Sequence, residues 1–288
     1  MAGSVDYSIQ SLFNVKNWVA VVTGGGTGLG LVTAKALAAN GVKVYVTGRR
    51  VEKLQAAEGN FPGGGSIIAL PMDVTSKDSI REATAEVTAK EKYINLLVNN
   101  AGVSGINYGA SGMPKGDIKS ISETMLINQE FEDWLWIYKV NVASYYFCSV
   151  AFLPLLRAAS EQGFPEPGSI INISSMSGIT KESQNGQFSY NASKAATISL
   201  TEQLACDFKR PDIEIRVNTL APGYFPSEMT PISDPSIGKE YFRAAYEIPF
   251  GRPGNGRDYA QALFNFAVNQ YVTGATLIID GAWLLDHA

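Results

Sequence analysis

The chain has 288 residues, 45% of them hydrophobic and 17% charged, with 28 glycines. A soluble domain usually carries about 25% charged residues, so this composition excludes a disordered chain, a coiled coil and a collagen-like repeat, and suits an α/β protein with much buried sheet. Lys and Arg total 23 against 27 Asp and Glu, a net charge of −4, which leaves no basic excess to neutralise a nucleic-acid backbone.

In chain order, residues 1–16 read as an N-terminal extension ahead of a first strand at 18–23. A helix rich in Leu and Ala runs over 28–40 and is closed by Gly41. Strands follow at 42–47 and 66–70, then a charged helix at 77–92 and a strand at 94–98. A long helix is expected over 131–159, then a strand at 169–173, a helix at 190–209, and strands at 213–217 and 275–279. Short β-branched runs separated by single helices predict right-handed βαβ units. The expected fold is one α/β domain over 1–288, with a parallel sheet and helices on both faces. Two loop-rich stretches, 103–128 and 224–256, each follow the carboxyl end of a predicted strand, the edge where open parallel sheets bind ligands. They are expected to shape a substrate pocket.

The first residues show no secretory leader. Residues 142–156, the longest apolar run, fall short of the roughly 20 that a bilayer span takes. Cys148 and Cys206 are too isolated for a disulfide framework or a metal motif and suit a reduced compartment. The expectation is a cytoplasmic protein with no membrane and no nucleic-acid partner. His287 is the single histidine and, at the end of the chain, is expected to be solvated. Nucleophilic triads need a histidine held in a cleft, and zinc needs several His or Cys ligands. No metal is therefore expected, and acid–base chemistry falls to Tyr, Lys or carboxylates.

Three motifs carry chemistry. Thr23-Gly24-Gly25-Gly26-Thr27-Gly28-Leu29-Gly30 joins the first strand to the first helix, where glycines let the backbone approach a pyrophosphate held by the helix N-terminus. At the end of the second strand, Thr47-Gly48-Arg49-Arg50 offers Arg49 where an NAD site usually has a carboxylate, which suits the 2′-phosphate of NADP; otherwise Arg49 and Arg50 only solvate a helix start. Tyr190 and Lys194, four apart, share a helix face. A nearby ammonium favours the phenolate. Bringing a phenol from pKa about 10 to neutrality takes roughly 4 kcal/mol of differential stabilisation.

These motifs occur in order with Asp73-Val74, Asn99-Asn100-Ala101-Gly102, Asn141, Ile171-Asn172-Ile173-Ser174-Ser175, Pro222-Gly223, Tyr271-Val272-Thr273-Gly274 and Asp280-Gly281. Together they make the chain resemble the short-chain dehydrogenase/reductase family, single-domain branch, from about residue 18 to 283. The resemblance implies a Rossmann-type doubly wound sheet of about seven parallel strands. It implies NADP(H), preferred over NADH, held by Gly24, Thr27, Gly28, Leu29, Gly30, Arg49, Asp73, Val74, Asn100, Ala101, Gly102, Tyr190, Lys194, Pro222, Gly223, Phe225 and Ser227. Asn99 is expected to be structural, Trp134 and Trp136 to pack, and Lys139 to be a solvated helix charge.

The implied catalytic four are Asn141, Ser175, Tyr190 and Lys194. Ser174 and Ser177 compete for the serine place. The Ile-Asn-Ile-Ser-Ser pattern favours Ser175, whose 15-residue spacing to Tyr190 implies extra length in 179–187. The implied reaction is reversible hydride transfer between a ketone and a secondary alcohol. Tyr190 would move the proton, Ser175 bond the carbonyl oxygen, Lys194 lower the Tyr190 pKa, and Asn141 position a water behind Lys194. Aromatic residues in the two loops, among them Tyr108, Tyr224, Phe225, Tyr241, Phe242 and Phe250, favour a partly apolar small molecule, and a 3-oxoacyl thioester or a secondary-metabolite ketone fits. Relatives dimerise through the helices carrying Asn141 and Tyr190, which implies a homodimer or homotetramer. A non-catalytic NADP-binding sensor, or an isomerase or dehydratase on the same scaffold, are the alternatives.

Overall fold

In the computed structural model, which describes residues 6–232 and 237–287, alternate residues of each central strand feed opposite cores. Residues 1–5 of the expected extension and 233–236 of the second loop lie outside the described residues. The elements are α1 (Ile9–Leu12), β1 (Val19–Thr23), α2 (Gly28–Ala39), β2 (Lys43–Gly48), α3 (Val51–Ala57), β3 (Gly59–Asn60), β4 (Ser66–Pro71), α4 (Lys77–Lys90) and β5 (Leu96–Asn99). They continue with α5 (Ile118–Ile127), α6 (Phe131–Tyr138), α7 (Ser144–Ala158), β6 (Ser169–Ile173), α8 (Phe188–Phe208), β7 (Arg216–Pro222), α9 (Lys239–Ala245), α10 (Gly256–Val268), β8 (Thr276–Ile279) and α11 (Trp283–His287).

β1 sends Ala20 and Val22 into one core and Val19 and Val21 into the other, the period-two pattern of a strand covered on both faces. The first core is closed by Ala34 and Leu37 of α2 and Leu263 and Phe266 of α10. The second is closed by Ile80 of α4, Phe152 of α7 and Leu204 of α8. Burying each such side chain contributes about 1.5–3 kcal/mol.

The sheet runs β3-β4-β2-β1-β5-β6-β7-β8. Every pairing is parallel except that of the two-residue β3 with β4. The α/β expectation holds, with eight strands where about seven were expected; β3 is too short to leave a sequence pattern. Strand order reverses between β1 and β5, which opens a crevice at their carboxyl ends.

Several expectations need correction. The strand expected at 213–217 is β7, three residues later. Glu214 has φ 56° and the amide N–H groups of Ile213 and Glu214 both donate to the Arg210 carbonyl. The segment is therefore a turn, and Ile215, 1% exposed, only plugs the core. The expected long helix is interrupted by a π-turn at Lys139–Ala143. By length and composition Phe131–Gln162 could cross a membrane, but Tyr145, Cys148, Phe152 and Leu156 are buried among the described residues, which makes it a core helix. The loop expected at 103–128 contains α5, capped by Asp117. The second loop contains α9, and after it comes α10, started by a capping box between Asn255 and Asp258. His287 is not free in solvent: its ring stacks on Trp283 at 3.9 Å and its Nδ1 lies 2.9 Å from Glu182 Oε1.

Candidate active site

A cavity of about 850 Å³ opens at the carboxyl ends of the parallel strands. One wall is the turn from β1 into α2. Gly24 has φ 64°, and a Cβ there would lie 2.9 Å from Ala101 Cα; a Cβ on Gly30 would lie 2.3 Å from the Gly24 carbonyl. Only glycine permits that turn to close against the segment after β5. Asn100 locks it, its Nδ2 donating to the carbonyls of Thr23 (3.0 Å) and Gly24 (3.2 Å), while Thr23 Oγ1 accepts from the amides of Asn100 and Ala101. Thr27, at the N-cap of α2, makes no side-chain cap bond. The positive end of α2 is thus aimed at the cavity.

Beyond β2, Arg49 and Arg50 line the cavity. The Arg49 guanidinium stacks over the Trp136 ring at 5.5 Å, so Trp136 supports a cavity residue. Arg50 Nη2 donates to Thr27 Oγ1 at 3.0 Å and to Glu228 Oε2 at 2.9 Å. At the end of β4, burial would raise the Asp73 carboxyl, but hydrogen bonds from the Thr75 amide and hydroxyl, with the charges of Arg49 and Lys139, hold it below its ordinary value. Lys139 is exposed, the solvated helix charge expected, and its field still reaches Asp73.

The reactive end is built by β6, α8 and β7. Ser175 Oγ accepts from the Ser177 amide at 3.1 Å and donates to the Pro222 carbonyl at 3.5 Å, and its hydroxyl lowers the pKa of the neighbouring Tyr190 phenol. Ser177 is 7% exposed, and Ser174 spends its hydroxyl on the Lys194 carbonyl at 2.7 Å. Of the three serines, Ser175 is the one whose hydroxyl lowers the Tyr190 pKa. Lys194, 4% exposed, donates from Nζ to the Ile173 carbonyl at 2.9 Å, and Nζ lies 5.8 Å from the Tyr190 ring centre. Burial lowers the Lys194 pKa to about 8. Burial also raises the Tyr190 pKa, with the Ser175 hydrogen bond opposing it. The expectation that Lys194 lowers the Tyr190 pKa is thus not met in the protein chain itself: the ammonium is turned to a carbonyl, and burial raises the phenol.

Gly24, Thr27, Gly28, Leu29, Arg49, Asp73, Val74, Asn100, Ala101, Gly102, Ser175, Tyr190, Lys194, Pro222, Gly223, Phe225 and Ser227 all line the one cavity. Gly30 and Asn141 stand behind its walls. Asn141 is fully buried; its side chain accepts from the Val103 amide and donates to the Val103 carbonyl and Ser193 Oγ, and its own carbonyl accepts from Thr197 Oγ1. This ties the segment after β5 to α8 and makes Asn141 a positioning residue, held by the π-turn. Asn99 lies fully buried against Asn172 and Ser149. Sequence reading left out Gln184, Glu228 and Tyr246, which also line the cavity and whose loops have no local pattern that aims them there.

The cavity suits a dinucleotide. A glycine cradle that a Cβ would fill faces a helix N-terminus, two arginines and an aspartate stand toward β2 and β4, and a tyrosine–lysine pair stands at the other end. Residues 18–236 match the family model described as short chain dehydrogenase. Short-chain dehydrogenase/reductase PhomF′ of Diaporthe leptostromiformis is 36% identical, over 99% of this chain and 98% of that protein. The 3-oxoacyl-(acyl-carrier-protein) reductase FabG of Chlamydia pneumoniae is 31% identical, over 91% of this chain and 94% of that protein. The structure of a Pseudomonas aeruginosa RhlG/NADP active-site complex superposes with TM-score 0.76 at 29% identity, covering 94% of this chain and 98% of that one.

Proposed function

From the premise that this chain belongs to the short-chain dehydrogenase/reductase family, we propose that it is an NADP(H)-dependent reductase of ketones that also runs in reverse. One observation carries this reading: Tyr190, with Ser175 and with Lys194 four residues on, lines the same cavity as the glycine turn of α2. A bound NADPH supplies hydride to a carbonyl carbon. The Tyr190 hydroxyl gives its proton to the carbonyl oxygen as negative charge grows there, and the Ser175 hydroxyl donates a hydrogen bond to the same oxygen. Gly24, Thr27, Gly28 and Leu29 hold a pyrophosphate, Asp73 and Val74 an adenine, and Arg49 with Arg50 a 2′-phosphate. Pro222, Gly223, Phe225 and Ser227 enclose the nicotinamide, and Lys194 holds its ribose. The NADP-bound RhlG structure and the two arginines after β2 support NADP over NAD.

The substrate is a small, partly apolar ketone, with a 3-oxoacyl thioester or a secondary-metabolite ketone as the two classes considered. A homodimer or homotetramer is part of the reading, built on the outer faces of α7 and α8, where Tyr146 and Val150 are 45% and 42% exposed; light scattering tests it. A cytoplasmic setting agrees with two free cysteines. The deciding experiment follows NADPH absorbance across a ketone panel. Tyr190→Phe is expected to lower kcat by about a thousandfold while NADPH binding stays within about twofold. Near-normal turnover in that variant removes Tyr190 as the proton donor.

A further inference from the structure

The two arginines after β2 are not equivalent. Arg50 is spent within the protein, on Thr27 Oγ1 at 3.0 Å and Glu228 Oε2 at 2.9 Å. Arg49 lines the same cavity, but among the described residues its guanidinium makes no ion pair and no hydrogen bond, and it lies over the Trp136 ring, 5.5 Å from the ring centre. Asp73 feels the Arg49 charge, yet its Oδ1 is taken by the Thr75 amide at 2.9 Å and the Thr75 hydroxyl at 2.8 Å. Arg49 therefore keeps its donors for something else.

An indole covers a guanidinium without using its donors. The five N–H groups lie in the guanidinium plane and point out from its edge, whereas the ring takes up one face. An uncovered, exposed arginine samples many rotamers and loses that freedom when it closes on an anion, which weakens binding by about two- to tenfold. An arginine already held against a ring has given up much of it beforehand.

Trp136 is itself held in place. Its neighbour Ile137 is 3% exposed in the core, and Trp134 donates from Nε1 to Gln129 Oε1 at 3.1 Å, which ties the start of α6 to the link before it. The π-turn after α6 is pinned through Asn141 to Val103 and Ser193. Trp136 remains 38% exposed, so its ring does not serve the core; what it covers is Arg49.

We propose that Trp136 is a positioning residue for 2′-phosphate recognition: by covering one face of the Arg49 guanidinium it keeps that side chain at the cavity wall with its donor edge free, and so contributes to a preference for NADP over NAD. The inference rests on the NADP(H) reading for its ligand and assigns part of the cofactor preference to α6, an element outside the dinucleotide motifs.

The test is a binding measurement with no substrate and no turnover. Calorimetry on the full chain gives the affinities for NADP⁺ and NAD⁺, which differ only in the 2′-phosphate, so their ratio isolates that group. Trp136→Leu keeps an apolar side chain and removes the ring face; Trp136→Phe keeps a smaller face. Trp136→Leu is expected to lower the NADP⁺/NAD⁺ affinity ratio about threefold to tenfold, with NAD⁺ affinity within about twofold of wild type, which also shows that the variant folds. Trp136→Phe is expected to keep more than about half of the wild-type ratio. In an Arg49→Ala background, where the ratio has already fallen, Trp136→Leu is expected to change it by less than about 1.5-fold, because the ring acts through Arg49. An unchanged ratio in Trp136→Leu, alongside a lowered one in Arg49→Ala, overturns the role of Trp136 and leaves the NADP reading standing. A loss of equal size in both backgrounds, or a Trp136→Phe ratio no higher than that of Trp136→Leu, overturns it as well. A wild-type protein that binds both nucleotides equally or neither, or an Arg49→Ala variant that keeps the ratio, overturns the 2′-phosphate reading itself and the inference with it.

Discussion

The Lys194 ammonium and the Ile173 carbonyl are joined by a 2.9 Å hydrogen bond that holds a charge inside the protein. Burial brings the lysine from its ordinary value near 10.5 to about 8. The sign of the linkage follows. Between pH 8 and 10.5 the unfolded chain binds the proton and the folded chain has lost it, so stability rises with pH across that window; below pH 8 the full cost of the buried charge is present. That cost is on the order of 3 kcal/mol. Lys194→Met has similar volume and no charge, and it does not orphan the Ile173 carbonyl, which also accepts from the Tyr145 hydroxyl at 3.1 Å. The variant is expected to melt about 5 °C or more above wild type at pH 7, with the gap closing between pH 8 and 10.5, and to lose turnover. Thermal melts at four pH values check this. A gap that does not change with pH refutes the account of Lys194.

Ser175 and Ser177 make a paired test. Of the two, only the Ser175 hydroxyl lowers the phenol's pKa, whereas Ser177 presents its backbone amide to Ser175 Oγ, a contact any residue keeps. Ser175→Ala is expected to lower kcat by about a hundredfold or more with little change in NADPH binding. Ser177→Ala is expected to stay within about tenfold of wild type. Steady-state kinetics on the best ketone decide, and the reverse ranking would transfer the role to Ser177.

The parts of this molecule that were legible in the sequence are those set by local pattern. Val19 to Val22 alternate between two cores, and that requires a β-branched run anyone can read. The glycine turn, Asp73, Tyr190 and Lys194 sit at strand ends or on one helix face, so strand order alone brings them to one edge. What was missed depends on tertiary contact. The strand read at Ile213 and Ile215 failed because the left-handed Glu214 turns the chain before the ladder starts. Gln184 reaches the cavity only because Tyr108, 76 residues earlier in the chain, clamps its turn. His287 looked like a solvated terminus, yet Trp283 lies four residues before it on α11 and stacks on its ring. The low Tyr190 pKa expected from spacing was overridden by burial, which spacing does not reveal.

Asn141 gives a stability prediction that differs from a catalytic one. Its side chain makes three hydrogen bonds in a fully buried place, two to Val103 and one to Ser193. Asn141→Ala leaves the Val103 amide and carbonyl unmatched, while Ser193 Oγ keeps its bond to the Tyr190 carbonyl, and is expected to destabilise the protein by about 2–4 kcal/mol, read from urea unfolding. Asn141→Asp keeps one acceptor for the Val103 amide but buries a carboxylate, so its loss is expected to be greater at pH 8 than at pH 5. A variant as stable as wild type would mean that the π-turn does not depend on this side chain.

Arg50 is shared between the proposed cofactor and the protein's own Glu228. The pair closes at 2.9 Å with both side chains more than half exposed, and the Arg50 hydrogen bond and charge hold the Glu228 carboxyl below its ordinary value. A carboxylate there competes with any 2′-phosphate for the guanidinium. Glu228→Gln removes the competing charge and is expected to raise kcat/KM with NADPH about two- to threefold while leaving NADH within about 1.5-fold, because NADH has no 2′-phosphate. The gain is expected to fade as KCl rises from about 50 to 500 mM, since exposed charges are screened. Arg49→Asp, which puts a carboxylate beside the same phosphate position, is expected to lower the NADPH/NADH ratio of kcat/KM about tenfold or more. Equal changes for the two cofactors in Glu228→Gln would place Arg50 outside phosphate recognition, and equal changes in Arg49→Asp would do the same for Arg49.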